Sequence, residues 1–332
     1  MARGAGLIFA EVAVGDAAGA LLAHGRLVGE TRWAKGRVLT RGDLYAARAA
    51  GLATLTVARL DADDVAEADA AAAIGAALAG NGVVALPPAH GRVNLAAAAA
   101  GILLVERTAV DALNAVDEGI TLGTLAPFTR VAAGEIVATV KIIPYAVGCA
   151  TLAAALACVG ALRVAAFRGV TVDLIQTVLP GQTAKAQAKT ERVTRARLAS
   201  LDAIVGRVET CAHDTAALAD RLRAPTQAAI TLVTGASATV DRSDVVPAAL
   251  VAAGGCVERL GMPVDPGNLL CLGWVGARAV IGLPGCARSP KRNGFDWVLE
   301  RLVAGLSVTG ADIAAMGVGG LLPEAERPQP RA

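Results

Sequence analysis

Ala228-Ala229-Ile230-Thr231-Leu232-Val233-Thr234-Gly235-Ala236-Ser237-Ala238-Thr239-Val240-Asp241-Arg242-Ser243-Asp244-Val245-Val246-Pro247 reads as a buried strand, a polar loop and a helix start. The strand, Ala228–Val233, is a short apolar run rich in β-branched residues. Gly235 permits a sharp turn, and the small residues after it let backbone N–H groups approach an anion closely. The helix start beyond, expected over Ser243–Ala253, adds partial positive charge. Thr234, Ser237 and Thr239 add hydroxyls, and Ala236 keeps the backbone open. Asp241 and Asp244 would repel a bare phosphate. Two readings of them stand side by side: they share a cation such as Mg2+ with the phosphate, or they cap the helix.

A second loop, Gly282-Leu283-Pro284-Gly285-Cys286-Ala287-Arg288-Ser289-Pro290-Lys291-Arg292-Asn293-Gly294, also leaves an apolar strand and precedes a helix. Pro284 and Gly285 make a turn, and Arg288, Lys291 and Arg292 gather cations suited to phosphate or carboxylate. Ser289 adds a hydroxyl, and Cys286 reads as a turn cysteine packed on its own loop. Gly261–Asn268 is a third rigid, polar turn.

Working outward, strands alternate with helices from Gly169 onward. Strands are expected at Val170–Val178, Ala203–Val208, Ala228–Val233 and Ala279–Ile281, and helices at Lys185–Leu201, His213–Arg223, Ser243–Ala253 and Asn293–Val303. This alternation predicts an α/β fold whose mostly parallel sheet is covered on both faces. In such folds ligands bind outside the carboxyl ends of the strands. Lys185, Lys189, Arg192, Arg195 and Arg197 read as a solvated helix face. Upstream, residues 1–60 suggest a small α+β region, and 61–165 an Ala-rich mixed region with a helix over Asp61–Leu78. An extended tail is expected over 321–332.

The 332 residues carry a net charge of +2, with 55 % hydrophobic, 18 % charged and only 3 % aromatic. So apolar a chain is not disordered, and it lacks the basic excess of a nucleic-acid coat. The uncharged run between Lys141 and Arg163 is long enough to cross a bilayer, but Pro144, Gly148 and abundant alanine favour a buried or linking helix. Glu11 and Asp16 follow Met1–Gly4 too soon for a signal peptide, so the cytoplasm is expected. Cys149, Cys158, Cys211, Cys256 and Cys271 read as buried thiols, since no metal-site spacing joins them.

Thr234 to Pro247, taken with Gly282-Leu283-Pro284-Gly285, resembles the molybdopterin-binding domain shared by the MogA/MoaB and MoeA families, which act late in molybdenum cofactor assembly. The resemblance covers about 169–320 and extends more weakly to Gly36–Val57. It implies a three-layer, MogA/MoaB-like α/β domain after a smaller α+β region. Gly235 falls on the family's first loop glycine, and Asp241 on the Asp of the MoeA G-D-Y-D stretch. Asp244 falls on the Asp before V-T-P in the MogA type, which is tied to metal-assisted chemistry. Pro284, Gly285 and Ser289 fall on the second loop. Ala236 stands where the family has a second glycine, and Cys286 where it has Asn. Thr177-Val178-Leu179-Pro180-Gly181 replaces the acidic residues the family keeps after its first strand.

The resemblance implies molybdopterin, or a nucleotidyl derivative, as ligand. Its phosphate would rest on Thr234, Gly235, Ala236, Ser237, Thr239 and the Pro284–Ser289 loop, with Arg288 neutralising it. Asp241 and Asp244 would hold Mg2+ or position molybdate, as catalytic and metal residues for adenylyl transfer from ATP or for molybdate insertion. The alternatives are a non-catalytic carrier for a molybdoenzyme and a CinA-like nucleotide pyrophosphate hydrolase. The implied partners are a nucleotidyltransferase or molybdoenzyme and further copies of the chain, with no nucleic acid and no membrane.

Overall fold

The computed structural model describes residues 8–158 and 160–323. The N-terminal residues Met1–Gly4 and the tail beyond Pro323 therefore lie outside the described residues. The chain divides into two units, one of residues 1–99 and 103–164, the other of residues 100–102 and 165–332.

The first unit is built from short antiparallel strands and short helices. Thr54–Arg59 pairs with Ile8–Ala13 and with Leu21–Leu22. The helix Arg41–Ala49 starts at a capping box in which Thr40 Oγ1 accepts from Asp43 N–H and the Asp43 carboxylate accepts from Thr40 N–H. Leu22, Trp33, Leu39, Leu44 and Leu55 form the core beneath it. A four-stranded sheet runs in the order Ile120–Thr124, Ile136–Ile142, Arg92–Ala97, Val83–Ala85. It packs with the helix Glu67–Leu78 around Ile74, Leu95, Leu113 and Val140.

Two expectations fail in this unit. The helix foreseen over Asp61–Leu78 begins only at Glu67, because Asp64–Ala66 is drawn into a ladder with Ala146–Gly148. The run from 142 to 162 is not one helix. It divides into the strand Ala146–Gly148 and the eight-residue helix Cys149–Leu156, with a further strand beginning at Leu162. Gly148 is extended, at φ −64° and ψ 146°, and so starts the helix only beyond itself. Pro144 has no N–H to extend it backward. Among the described residues no helix is long and apolar enough to cross a membrane.

The second unit is a mixed α/β layer structure. In chain order it runs β1 (Thr171–Val178), α1 (Ala184–Ala199), β2 (Ile204–Ala212), α2 (Thr215–Arg223), β3 (Ile230–Thr234), α3 (Val245–Ala252), β4 (Cys256–Leu260), β5 (Cys271–Val275), β6 (Arg278–Leu283), α4 (Gly294–Val303) and α5 (Gly310–Ala314). The sheet order is β2-β1-β3-β6-β5-β4. The first four strands are mutually parallel, and β5 and β4 add an antiparallel edge.

All of β3 and the middle of β1 are buried, as strands covered on both faces must be. On one face, Leu198 of α1 and Phe295, Val298 and Leu299 of α4 pack over Leu174, Leu232 and Ile281. On the other, Leu218 and Leu222 of α2 and Val246, Ala249 and Leu250 of α3 cover Ile175, Val233 and Val280. Each fully buried Leu or Phe contributes roughly 2–3 kcal/mol of apolar burial, which holds the strand ends and their loops in place.

Toward the amino half of the sheet, Asp173 is buried and saturated. It accepts from Arg207 N–H at 2.8 Å, Arg207 Nη2 at 3.0 Å and Thr226 Oγ1 at 2.7 Å. A Cβ at Gly206 would stand 2.5 Å from Asp173 Oδ1, so this tight charged corner requires glycine. The cysteines depart from expectation: Cys271 is buried, Cys158 and Cys211 are half-buried, and Cys149 and Cys256 are exposed. Cys149 opens a surface helix and Cys256 lies on the sheet's edge strand, positions with little packed over them.

Candidate functional site at the strand ends

The parallel strands β1, β3 and β6 bring three segments to one edge of the sheet: Gln176–Gln182, Thr234–Asp244 and Leu283–Asn293. Between the first of these and α1 lies a cleft of ≈ 260 Å³. Gln176, Thr177 and Thr234 line it from the strand ends, and Gln182 from the loop. Ala186, Gln187, Lys189 and Thr190 line it from the early turns of α1, and Arg288 closes it from the β6 loop.

Two of these residues were legible in the sequence as loop residues, Thr234 and Arg288. Gln176, Gln182 and Gln187 carry no signal of their own in the sequence, and Thr177 stands out only as the first residue of the segment that replaces the family's acidic residues. Lys189 was read as part of a solvated face, and it is exposed, yet it stands at the mouth of the cleft. The available signal was the Gln/Thr-rich stretch from Gln176 to Thr190, unusual directly after a buried strand.

The first loop is held by the end of β1. Thr177 is buried, and its hydroxyl accepts from Ala236 N–H at 2.9 Å. The same oxygen lies 2.8 Å from His213 Nδ1 and 3.3 Å from the Thr234 carbonyl. Gly235 is required by its surroundings, since a Cβ there would stand 2.8 Å from the Ser237 carbonyl oxygen. Beyond it, the backbone N–H groups of Ser237, Ala238 and Thr239 have no hydrogen-bond partner among the described residues.

Asp241 and Asp244 lie further along this loop, and neither lines the cleft. One oxygen of Asp244 accepts from Val240 N–H at 2.6 Å and from Asp241 N–H at 2.9 Å. Asp241 Oδ1 accepts from Ser243 N–H at 2.8 Å. These bonds hold both carboxyls below the ordinary carboxylate range. Asp244 is the N-cap residue of α3, although its side chain serves the loop behind it rather than the helix. Among the described residues no three His, Cys, Asp or Glu side chains group as a metal-binding set. The two carboxylates thus act as ties within the loop.

The second loop is pinned from α1. Arg197 is nearly buried, and its Nε lies 2.5 Å from Asp296 Oδ1. Its Nη1 donates to the Ala287 carbonyl at 3.1 Å, and its Nη2 to those of Ser289 at 3.0 Å and Lys291 at 3.2 Å. The guanidinium also stacks 4.9 Å from the centre of the Phe295 ring. Burial raises the Asp296 carboxyl, with Arg197 opposing the shift.

The three cations foreseen at this strand end therefore divide. Arg292 pairs with the buried Glu300 at 2.6 Å, and Arg288 alone of the three lines the cleft. Arg288 Nη2 donates to the Gly235 carbonyl at 2.7 Å, so it joins the two loops directly. Cys286 is half-buried in the short turn Gly285–Arg288, and burial pushes its thiol up. The third turn reaches the second loop through Gly294 N–H, which donates to the Pro266 carbonyl at 2.8 Å.

No family model matches the chain. No curated protein matches it either. Among solved structures it is similar to a molybdopterin biosynthesis MoeA protein from Pyrococcus horikosii, at 13 % identity and a TM-score of 0.32, over 90 % of this chain and 75 % of that one.

Proposed function

We propose that this chain binds a phosphate-bearing pterin of the molybdopterin type at the strand-end cleft, as a binding protein of molybdenum cofactor assembly. The observation that carries this reading is the Arg288–Gly235 bridge, which joins the two loops that resemble the molybdopterin-binding domain beside a cleft with cations at its mouth. Lys189 and Arg288 supply charge from the cleft lining, and the unpartnered N–H groups of Ser237–Thr239, in the adjoining loop outside that lining, would supply backbone donors to a ligand that extends beyond the cleft. A MogA/MoaB-like topology accords with helices on both faces of a mostly parallel sheet.

Between an enzyme and a carrier, the carrier is favoured by the commitment of Asp241 and Asp244 to their own loop. Adenylyl transfer and molybdate insertion both need charge neutralised beside the reacting phosphate. The cleft offers cations for holding an anion, and the two carboxylates expected to manage a metal lie outside it.

The test is to titrate the purified protein with molybdopterin, with and without ATP and Mg2+. Saturable binding that weakens about tenfold or more in Arg288→Ala, without AMP incorporation, is the expected result. Binding that is indifferent to Arg288 would remove the site. AMP transfer to the pterin would make the chain an enzyme, and cleavage of a free nucleotide at its pyrophosphate would make it a hydrolase.

A further inference from the structure

We infer that the cleft captures its anion without a divalent cation, and that Gln176 inside it pairs with an amide-like edge of the ligand's ring. This rests on the reading of the strand-end cleft as the ligand site, but not on the ligand being molybdopterin. Gln176 is only 5 % exposed and lines the cleft, and its side-chain amide makes no hydrogen bond to protein among the described residues. Its amide atoms are not sealed off: the fully buried unpartnered side-chain atoms among the described residues are Thr231 Oγ1 and Arg278 Nε, which do not line this cleft. The neighbouring Thr177 and Thr234, buried to the same degree, both bond within the fold. Gln176 is thus a polar side chain of this strand end that the fold leaves to solvent or to a ligand in the cleft.

A primary amide presents one acceptor and two donors from the same plane. It matches a ring edge carrying a carbonyl beside an N–H, the lactam edge found in oxo-purines and oxo-pterins. At ≈ 260 Å³ the cleft sits near the lower end of small-molecule sites, the size for a ring and little more.

The charge at the mouth decides the metal question. Lys189 and Arg288 line the cleft, and among the described residues no carboxylate does. A divalent cation brought in with a phosphate would meet two positive side chains and no anionic oxygen from the protein. Like charges brought this close repel, and among the described residues no carboxylate lining the cleft offsets the repulsion. The same two cations attract an uncomplexed phosphate directly. The loop carboxylates of Asp241 and Asp244 are held on backbone N–H groups outside the cleft, so they offer no substitute.

The experiment is calorimetric titration of the full chain with inorganic phosphate, ribose 5-phosphate and GMP, each in EDTA and in Mg2+. The expected result is phosphate binding in EDTA at least as tight as in Mg2+, weakened several-fold in Lys189→Ala and in Arg288→Ala. GMP should bind more tightly than ribose 5-phosphate by about tenfold, and Gln176→Leu should erase that difference. A circular dichroism spectrum and thermal unfolding curve like those of the unaltered protein show that Gln176→Leu is folded. Binding that appears only with Mg2+, or no phosphate binding in either condition, would overturn metal-free capture. Equal affinities for GMP and ribose 5-phosphate in the unaltered protein would overturn the role of Gln176. Metal-free phosphate and GMP binding without any affinity for molybdopterin supports this inference and removes the functional reading instead.

Discussion

Arg197 Nε and Asp296 Oδ1 lie 2.5 Å apart, both side chains nearly buried, and through this pair α1 grips the loop that enters α4. The remaining guanidinium nitrogens hold the carbonyls of Ala287, Ser289 and Lys291. Arg197→Ala leaves the Asp296 carboxylate buried without its counter-ion, and breaking such a pair costs about 3–5 kcal/mol. Arg197→Lys keeps a charge but not the planar fork, so it should recover only part of that loss. Urea unfolding measures the stability, and amide exchange over Gly285–Arg292 should quicken in both variants.

Thr177 joins the ends of β1, β2 and β3 through one hydroxyl. Thr177→Val keeps the shape and leaves Ala236 N–H without its acceptor, a loss of about 1–2 kcal/mol. Thr177→Ser should restore most of it. If phosphate affinity in Thr177→Val is unchanged, the loop does not need this anchor for binding.

Gly235→Ala would place a Cβ 2.8 Å from the Ser237 carbonyl oxygen, which belongs to the backbone and cannot rotate away. The loop must shift, at roughly 1–3 kcal/mol. Thermal unfolding should record that loss, and titration should show phosphate binding reduced more strongly than by Gly285→Ala. An added Cβ at Gly285 meets nothing within 4 Å.

The first unit carries a pH signature. Arg37 Nη2 bonds Asp43 at 2.7 Å and, against the opposing effect of burial and with help from Thr40, holds that carboxyl down to about 2. An unfolded Asp titrates near about 3.9. The folded value lies below the unfolded one, so the stabilisation is complete above pH ~4 and is lost as pH falls from there through 2. Denaturation of the unaltered protein and of Asp43→Asn should therefore differ at pH 7 and converge toward pH 2. A constant difference across that range would exclude the ion pair as its source.

Much of the second unit was legible because buried parallel strands are written as nearly continuous apolar, β-branched runs, as in Ile230–Val233, where Thr231 alone interrupts the aliphatics. The antiparallel edge was not: Cys256–Leu260 carries Glu258 and Arg259 and, as an edge strand, shows no such run. Turn chemistry announced the loops, since Gly235 and Pro284-Gly285 act locally. The cleft itself was not announced, because Gln176, Lys189 and Arg288 meet only through the sheet's topology. Arg197 was misread for a related reason. A basic residue on an otherwise polar helix looks solvated until the partner that buries it, Asp296, is brought across from nearly a hundred residues away.

The Thr177 hydroxyl has a single hydrogen and two acceptors in reach, His213 Nδ1 and the Thr234 carbonyl, while Ala236 N–H always takes one of its lone pairs. If the hydrogen turns to His213, the imidazole must carry its own proton on Nε2. If it turns to Thr234, Nδ1 must carry the proton and donate back to the hydroxyl. The rotor and the tautomer are therefore one variable. The 15N shifts of the His213 ring would read out, at the end of β2, which way a hydroxyl points at the end of β1.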